Sequence, residues 1–155
     1  MSIQAYKTAI TITSATLADL GTGLTTGHER TEPDGRMYVL LFCGEATPDG
    51  MVVCVDETET TATVIHSELC LDGTTKMPAG VNNTGAPITD NHFWWALKRG
   101  LGYGITATTD TKGLAVTQAA LGEVTTATLG TDSVSGILLE TGVDSTQKAV
   151  YWTIP

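Results

Sequence analysis

MYVLLFCGEATPDGMVVCVDE, residues 37–57, is the stretch on which the fold turns. Two apolar runs flank TPDG. Pro48 pre-sets φ for a turn, Asp49 offers a side chain that bonds locally, and Gly50 accepts positive φ. The pattern predicts a β-hairpin with strands near 37–44 and 51–57. Neither run alternates with polar residues, so both faces of both strands are expected to be covered. TATVIHSELCL (61–71) reads as a third strand, with Val64 and His66 on one face and Ile65 and Ser67 on the other. The three are expected to form a meander.

Working outward, TAITIT (8–13) alternates Ile with Thr at period 2, a strand with one wet face. It would end an extended N-terminal arm, MSIQAYKTAITIT, covering about residues 1–13. SATLADLG (14–21) fits a helical turn with Ser14 as cap and Gly21 as stop. GTGLTTGHERTEPDG (21–35) reads as loop. DGTTKMPAGVNNTGAPITDN (72–91) is punctuated by Gly, Pro and Asn and reads as a long internal loop. Beyond it, Thr-rich runs predict strands near 104–109, 114–118, 123–129, 134–140 and 148–154. Turn signals fall roughly every 8–12 residues, which predicts an all-β fold, mainly an antiparallel sandwich or barrel. At most one or two short helices are expected in a single domain spanning 1–155.

Composition narrows the function. Threonine contributes 29 residues and phenylalanine two, and only 16% of the chain is charged. A branched Cβ suits a pleated, half-buried surface. Net charge is −9 and, of 8 basic residues, only Lys98 and Arg99 are adjacent, which argues against a nucleic-acid partner, since binding there needs clustered cations. Cys43, Cys54 and Cys70 form no CxxC pair and read as free thiols of a reducing cytoplasm. The N-terminus lacks the apolar segment of a secretion signal. No run approaches the ~20 apolar residues of a membrane-spanning helix.

HFWWALKRG (92–100) concentrates two of the three Trp and one of the two Phe beside an adjacent Lys-Arg pair. As a helix it would place Phe93, Leu97 and Leu101 on one face; as a strand, Phe93, Trp95 and Leu97. Either way Trp94 and Trp95 diverge, with one expected in the core and the other at the surface or an interface. Phe93, Trp94, Trp95, Lys98 and Arg99 are therefore the candidate partner-contact residues, since Trp and Arg are enriched at binding hot spots. Plain packing, with Lys98 and Arg99 solvated at a helix end, is the alternative. GLGYG (100–104) lacks the spacing of a phosphate loop and reads as a flexible turn. His28, His66 and His92 show no ligand spacing, and the carboxylates of HERTEPDG (28–35) and DETET (56–60) read as solvated turns. No nucleophile motif appears, so no catalytic, cofactor-binding or metal-ligating residue is assigned.

The Gly/Ala/Thr-rich runs KGLAVTQAALGEVTTATLG (112–130) and SGILLETG (135–142) resemble the capsid decoration (cement) proteins of tailed bacteriophages. That resemblance implies a β-rich, non-enzymatic virion protein, made in the host cytoplasm and carried on the capsid exterior. It implies self-association, most often as a trimer, and the major capsid protein as partner, with neither nucleic acid nor membrane. A carbohydrate-binding or fibre- or tail-associated β-domain is the other expectation. Exposed Trp faces would stack on sugar rings there, and acidic loops would hold calcium.

Overall fold

A computed structural model describes residues 10–11, 25–62, 64–70 and 76–155. The strands are β1 (Ile10–Thr11), β2 (Glu29–Thr31), β3 (Met37–Cys43), β4 (Val52–Val55), β5 (His66–Leu69) and β6 (Pro78–Val81). After them come β7 (His92–Thr106), β8 (Ala115–Gln118), β9 (Val124–Thr126), β10 (Gly136–Leu138) and β11 (Thr146–Thr153). One 3₁₀ turn, Ala120–Gly122, is the helical element among the described residues. The fold is all-β, a closed barrel with additional strands.

Pairing closes on itself twice, and both closures pass through β7. The first circuit runs β7–β3–β5–β4–β6 and back to β7. The second runs β7–β11–β10–β8–β9 and returns through the parallel bridge Thr106↔Val124. Fifteen residues make β7 long enough to serve both. β1 pairs with its start, at Ile10↔Phe93 and Thr11↔His92. The rest of the expected arm and the 14–21 helical turn lie outside the described residues.

The continuous apolar runs have the reason the sequence implies: their strands are buried on both faces. Tyr38, Leu40 and Phe42 of β3, Val52 and Cys54 of β4, and Phe93, Trp95 and Leu97 of β7 belong to one cluster. Their alternates Val39, Leu41, Cys43, Val53, Trp94 and Ala96 belong to a second, with Ile88. The first cluster continues into the second circuit through Val116, Val124, Leu138, Val150, Trp152 and Ile154. There the alternates Ile137 of β10 and Gln147, Tyr151 and Thr153 of β11 are exposed, while Thr117 of β8 is buried.

The hairpin and the meander are corrected. β3 and β4 do not pair; β5 lies between them, parallel to β3 and antiparallel to β4. The turn at TPDG exists, with Met51 N donating to Pro48 O and Gly50 at φ 84°. It faces elsewhere. Thr47 bridges Ile88, Gly50 N donates to Asn82 O, and Ile105 N donates to Gly50 O. The segment between the two runs is thus bonded to the 82–88 stretch and β7, and the chain leaves the sheet after Cys43. Two equally apolar runs carry no register information, so adjacency in sequence was the wrong guide.

The reading of 72–91 as loop is also corrected, because Pro78–Val81 pairs with β4 and β7. Asn82 is buried and organises residues 83–88: its amide donates to Thr47 O and Ala86 O, and its Oδ1 accepts from Thr84 N and Oγ1. GLGYG is no turn; it is the second half of β7. Finally, Cys54 and Cys70 form a disulfide, with Cα atoms 5.2 Å apart. Cys70 N donates to Val52 O, so the two cysteines are diagonal neighbours across β4 and β5. Only Cys43 is a free thiol. It is buried, burial pushes its thiol up, and Sγ donates to Glu45 O at 2.9 Å.

Candidate functional site: a groove outside the shared strand

A bulge decides what β7 shows to solvent. Tyr38 pairs with Leu97 but Met37 pairs with Arg99, so Lys98 is extra in the ladder. An extra residue reverses the alternation beyond it. Before the bulge, Phe93, Trp95 and Leu97 face the main core. After it, Gly104 faces that core: a Cβ there would sit 3.0 Å from Trp152 Cζ2. Leu101 and Tyr103 take the outer face. Leu101 is 56% exposed.

Across the second circuit the outer face forms a row. Leu101 pairs with Tyr151, and Tyr151 with Ile137. All three are exposed, Tyr151 at 49%. Two adjoining cavities lie along it. The larger, about 440 Å³, is lined by Arg36, Asn83, Tyr103, Glu140, Gln147 and Lys148 among others. The smaller, about 350 Å³, is lined by Asp34, Arg36, Gly100, Leu101 and Tyr151. Arg36 and Leu101 belong to both and join them.

The groove is fixed by polar contacts around Tyr103. Asn83 acts as a one-residue strand partner, its Oδ1 accepting from Tyr103 N and its Nδ2 donating to Tyr103 O, each at 2.8 Å. Gly102 is needed there, since a Cβ would collide with Asn83 Oδ1. Tyr103 OH donates to both oxygens of Asp49, at 2.9 and 2.8 Å. Asp49 also accepts from Gly85 N. The aspartate of the TPDG turn therefore ties the first circuit to the second. Burial first, then the Asp49 carboxylate, holds the Tyr103 phenol far above its ordinary value.

At the rim, Arg36 donates through Nε and Nη2 to Asp34. That hydrogen bond holds the Asp34 carboxyl below its usual range. Glu140 Oε2 accepts from Ala149 N at 3.1 Å. Lys148 makes no ion pair among the described residues. Gln147 is exposed.

The residues expected to meet a partner lie elsewhere. Phe93, Trp94 and Trp95 are all buried. The indoles do diverge, Trp95 into the main cluster and Trp94 into the second. The expectation of an outward indole is corrected, because β7 is covered on both faces before the bulge. Lys98 Nζ donates to Glu29 Oε1 at 2.6 Å, which lowers the Glu29 carboxyl. Arg99 is exposed and donates from Nε to Ile154 O. The histidines stay apart: His28 lies edge-on to Trp95, His66 tilts against Phe42, and His92 bonds Thr89. Among the described residues no three His, Cys, Asp or Glu side chains converge. Sequence reasoning missed the groove, although Gly100, Gly102 and Gly104 recur at period 2 and mark one face of a strand.

No family model matches the chain, and no curated protein sequence does. A likeness of fold is found to the head fiber gp8.5 N base of bacteriophage phi29. The TM-score is 0.58 at 10% sequence identity, covering 73% of this chain and 90% of that one.

Proposed function

We propose that this chain is a non-enzymatic structural protein of a bacteriophage virion, carried on the capsid exterior. The observation behind the reading is the shared fold with the phi29 head fiber gp8.5 N base. A net charge of −9 agrees with it, because an acidic surface is repelled by packaged DNA and tolerated outside. Between a decoration subunit and the base of a fibre, the likeness favours the fibre base. In either role the chain binds the major capsid protein and copies of itself, and a trimer is the state we assign.

Of the stretch first expected to dock, Arg99 remains exposed for that contact; Lys98 is paired with Glu29 and the rings are buried. Apolar grip comes instead from Leu121 and Leu129, 64% and 77% exposed, in the small-residue run 112–130. They are the two most exposed of the large apolar side chains among the described residues. The test is to probe purified particles with antibody and quantitative mass spectrometry, and the isolated chain by sedimentation. The chain should be recovered at a fixed copy number per particle, and its absence from particles sinks the reading. Leu121→Asp with Leu129→Asp should release a folded protein from shells.

A further inference from the structure

We propose that the groove along Leu101 and Tyr151 binds a neutral, hydroxyl-rich saccharide. The larger cavity, about 440 Å³, falls within the roughly 300–1,000 Å³ of small-ligand sites. The smaller one extends it past Arg36. An elongated ligand of a few rings therefore fits better than a compact one.

The lining specifies the chemistry. Its groups charged at neutral pH are Arg36, Lys148, Asp34 and Glu140, two of each sign. Balanced charge gives no preference for an anion, and Arg36 is already engaged by Asp34. Among the described residues, what is left uncommitted is a mixture of donors and acceptors: the Lys148 ammonium, the Gln147 amide and the second oxygen of Glu140, whose first accepts from Ala149 N. A sugar hydroxyl is both donor and acceptor and satisfies such a mixture. Beside them the exposed faces of Tyr151 and Leu101 offer apolar support for the C–H face of a pyranose. An aromatic ring with one wet face and a polar tip suits that contact.

Other ligands fit less well. A peptide adds to a sheet through a free edge. Here β7 covers one side of β11 from Thr146 to Thr153 and β10 covers the other at Val150–Trp152, while Ala149 N beside them is already taken by Glu140 Oε2. Nucleic acid is disfavoured by the net charge of −9, which opposes approach of a phosphate backbone. The inference stands on the groove alone and does not depend on where the chain is mounted, so shell binding and sugar binding are separate readouts.

The experiment is an NMR titration of the ¹⁵N-labelled chain with neutral gluco-, manno- and N-acetylglucosamine oligomers. At least one series, at up to about 10 mM, should move the amides of Leu101, Tyr103 and 147–151 saturably, with affinity rising with length. Tyr151→Ala should weaken binding about tenfold or more and Gln147→Ala a few-fold, with unchanged dispersion elsewhere in the spectrum. Lys112→Ala, away from the groove, should bind as wild type. No saturable shift with any series overturns the proposal. So does wild-type affinity in Tyr151→Ala, or binding of a uronate oligomer or an acidic peptide in place of every neutral sugar.

Discussion

The two halves of β7 are one strand in two environments. From Phe93 to Leu97 every side chain is buried, odd positions in one cluster and even positions in the other. From Leu101 to Ile105 one face carries Gly102 and Gly104, the latter against Trp152, and the other meets solvent and the groove. A single extra residue at Lys98 separates them. The first half shows what sheets buried on both faces require, namely unbroken apolar sequence. The second shows how an open, grooved face is obtained without weakening the core. Bulk moves from β7 to Trp152, and β7 keeps only enough side chain to line a groove.

The largest expected effect tests that division directly. Phe93→Ala should cost about 3–5 kcal/mol, the range for emptying a large aromatic site in a packed core. Leu101→Ala should fall within about 0.5 kcal/mol of wild type, as exposed substitutions do. Equilibrium denaturation by guanidinium measures both. A Leu101→Ala cost approaching that of Phe93→Ala would mean the outer face of the second half is not free.

Next in size is the disulfide, which staples the first circuit only. Cys54 and Cys70 are 16 residues apart, and a loop of that length corresponds to about 3 kcal/mol of stabilisation. The Cys54→Ser, Cys70→Ser double variant should lose about that much. Alkylation of the unreduced, unfolded wild type should label Cys43 alone, as read by mass spectrometry. Three labelled cysteines would remove the staple from the comparison.

Legibility in the sequence respects the same boundary. Strand positions in the second circuit were readable because one face is wet and period 2 is visible: β8, β9, β10 and β11 fall inside or within two residues of the expected spans. In the first circuit the runs themselves were readable and their partners were not. Val52–Val55 looks equally suited to β3 or β5, and the choice is made by Thr47, Gly50 and Asn82, which pull the intervening segment toward 82–88 and β7. Pro78–Val81 hid among turn residues because a four-residue strand beginning at Pro has almost no pattern. The groove was illegible for a different reason. Its face depends on the parity of the bulge, and a bulge is invisible to periodicity until the partner strand is known.

A smaller effect probes the exchange of bulk between β7 and β11. At Gly104 an added methyl would stand 3.0 Å from Trp152 Cζ2. Gly104→Ala should therefore cost about 1–3 kcal/mol by overpacking. Trp152→Phe makes room, and it also removes an indole N–H that has no hydrogen-bond partner among the described residues. The double variant should be less destabilised than the sum of the two singles, a coupling that a thermodynamic cycle isolates. Strict additivity would show that the glycine is not there for the indole.

The smallest effect concerns a tie between the halves that titrates. Tyr103 lies after the bulge and donates to Asp49, in the turn of the first circuit. Burial and that carboxylate raise its phenol above the ordinary value, which is about 10 in an unfolded chain. The folded state thus favours the protonated phenol. Its contribution is complete below the unfolded value and is lost progressively as pH rises from there toward the folded one. Tyr103→Phe should cost about 1.5 kcal/mol at neutral pH for the lost hydrogen bond to a carboxylate. It should also flatten the fall in stability above about pH 10. Tyr38, raised in the same direction by burial, is present in both proteins and cancels in their difference. Unfolding midpoints from about pH 8 to 11 would show the two curves converging. Parallel curves would mean that Tyr103 ionises as freely folded as unfolded, and that the turn and the groove are joined by packing alone.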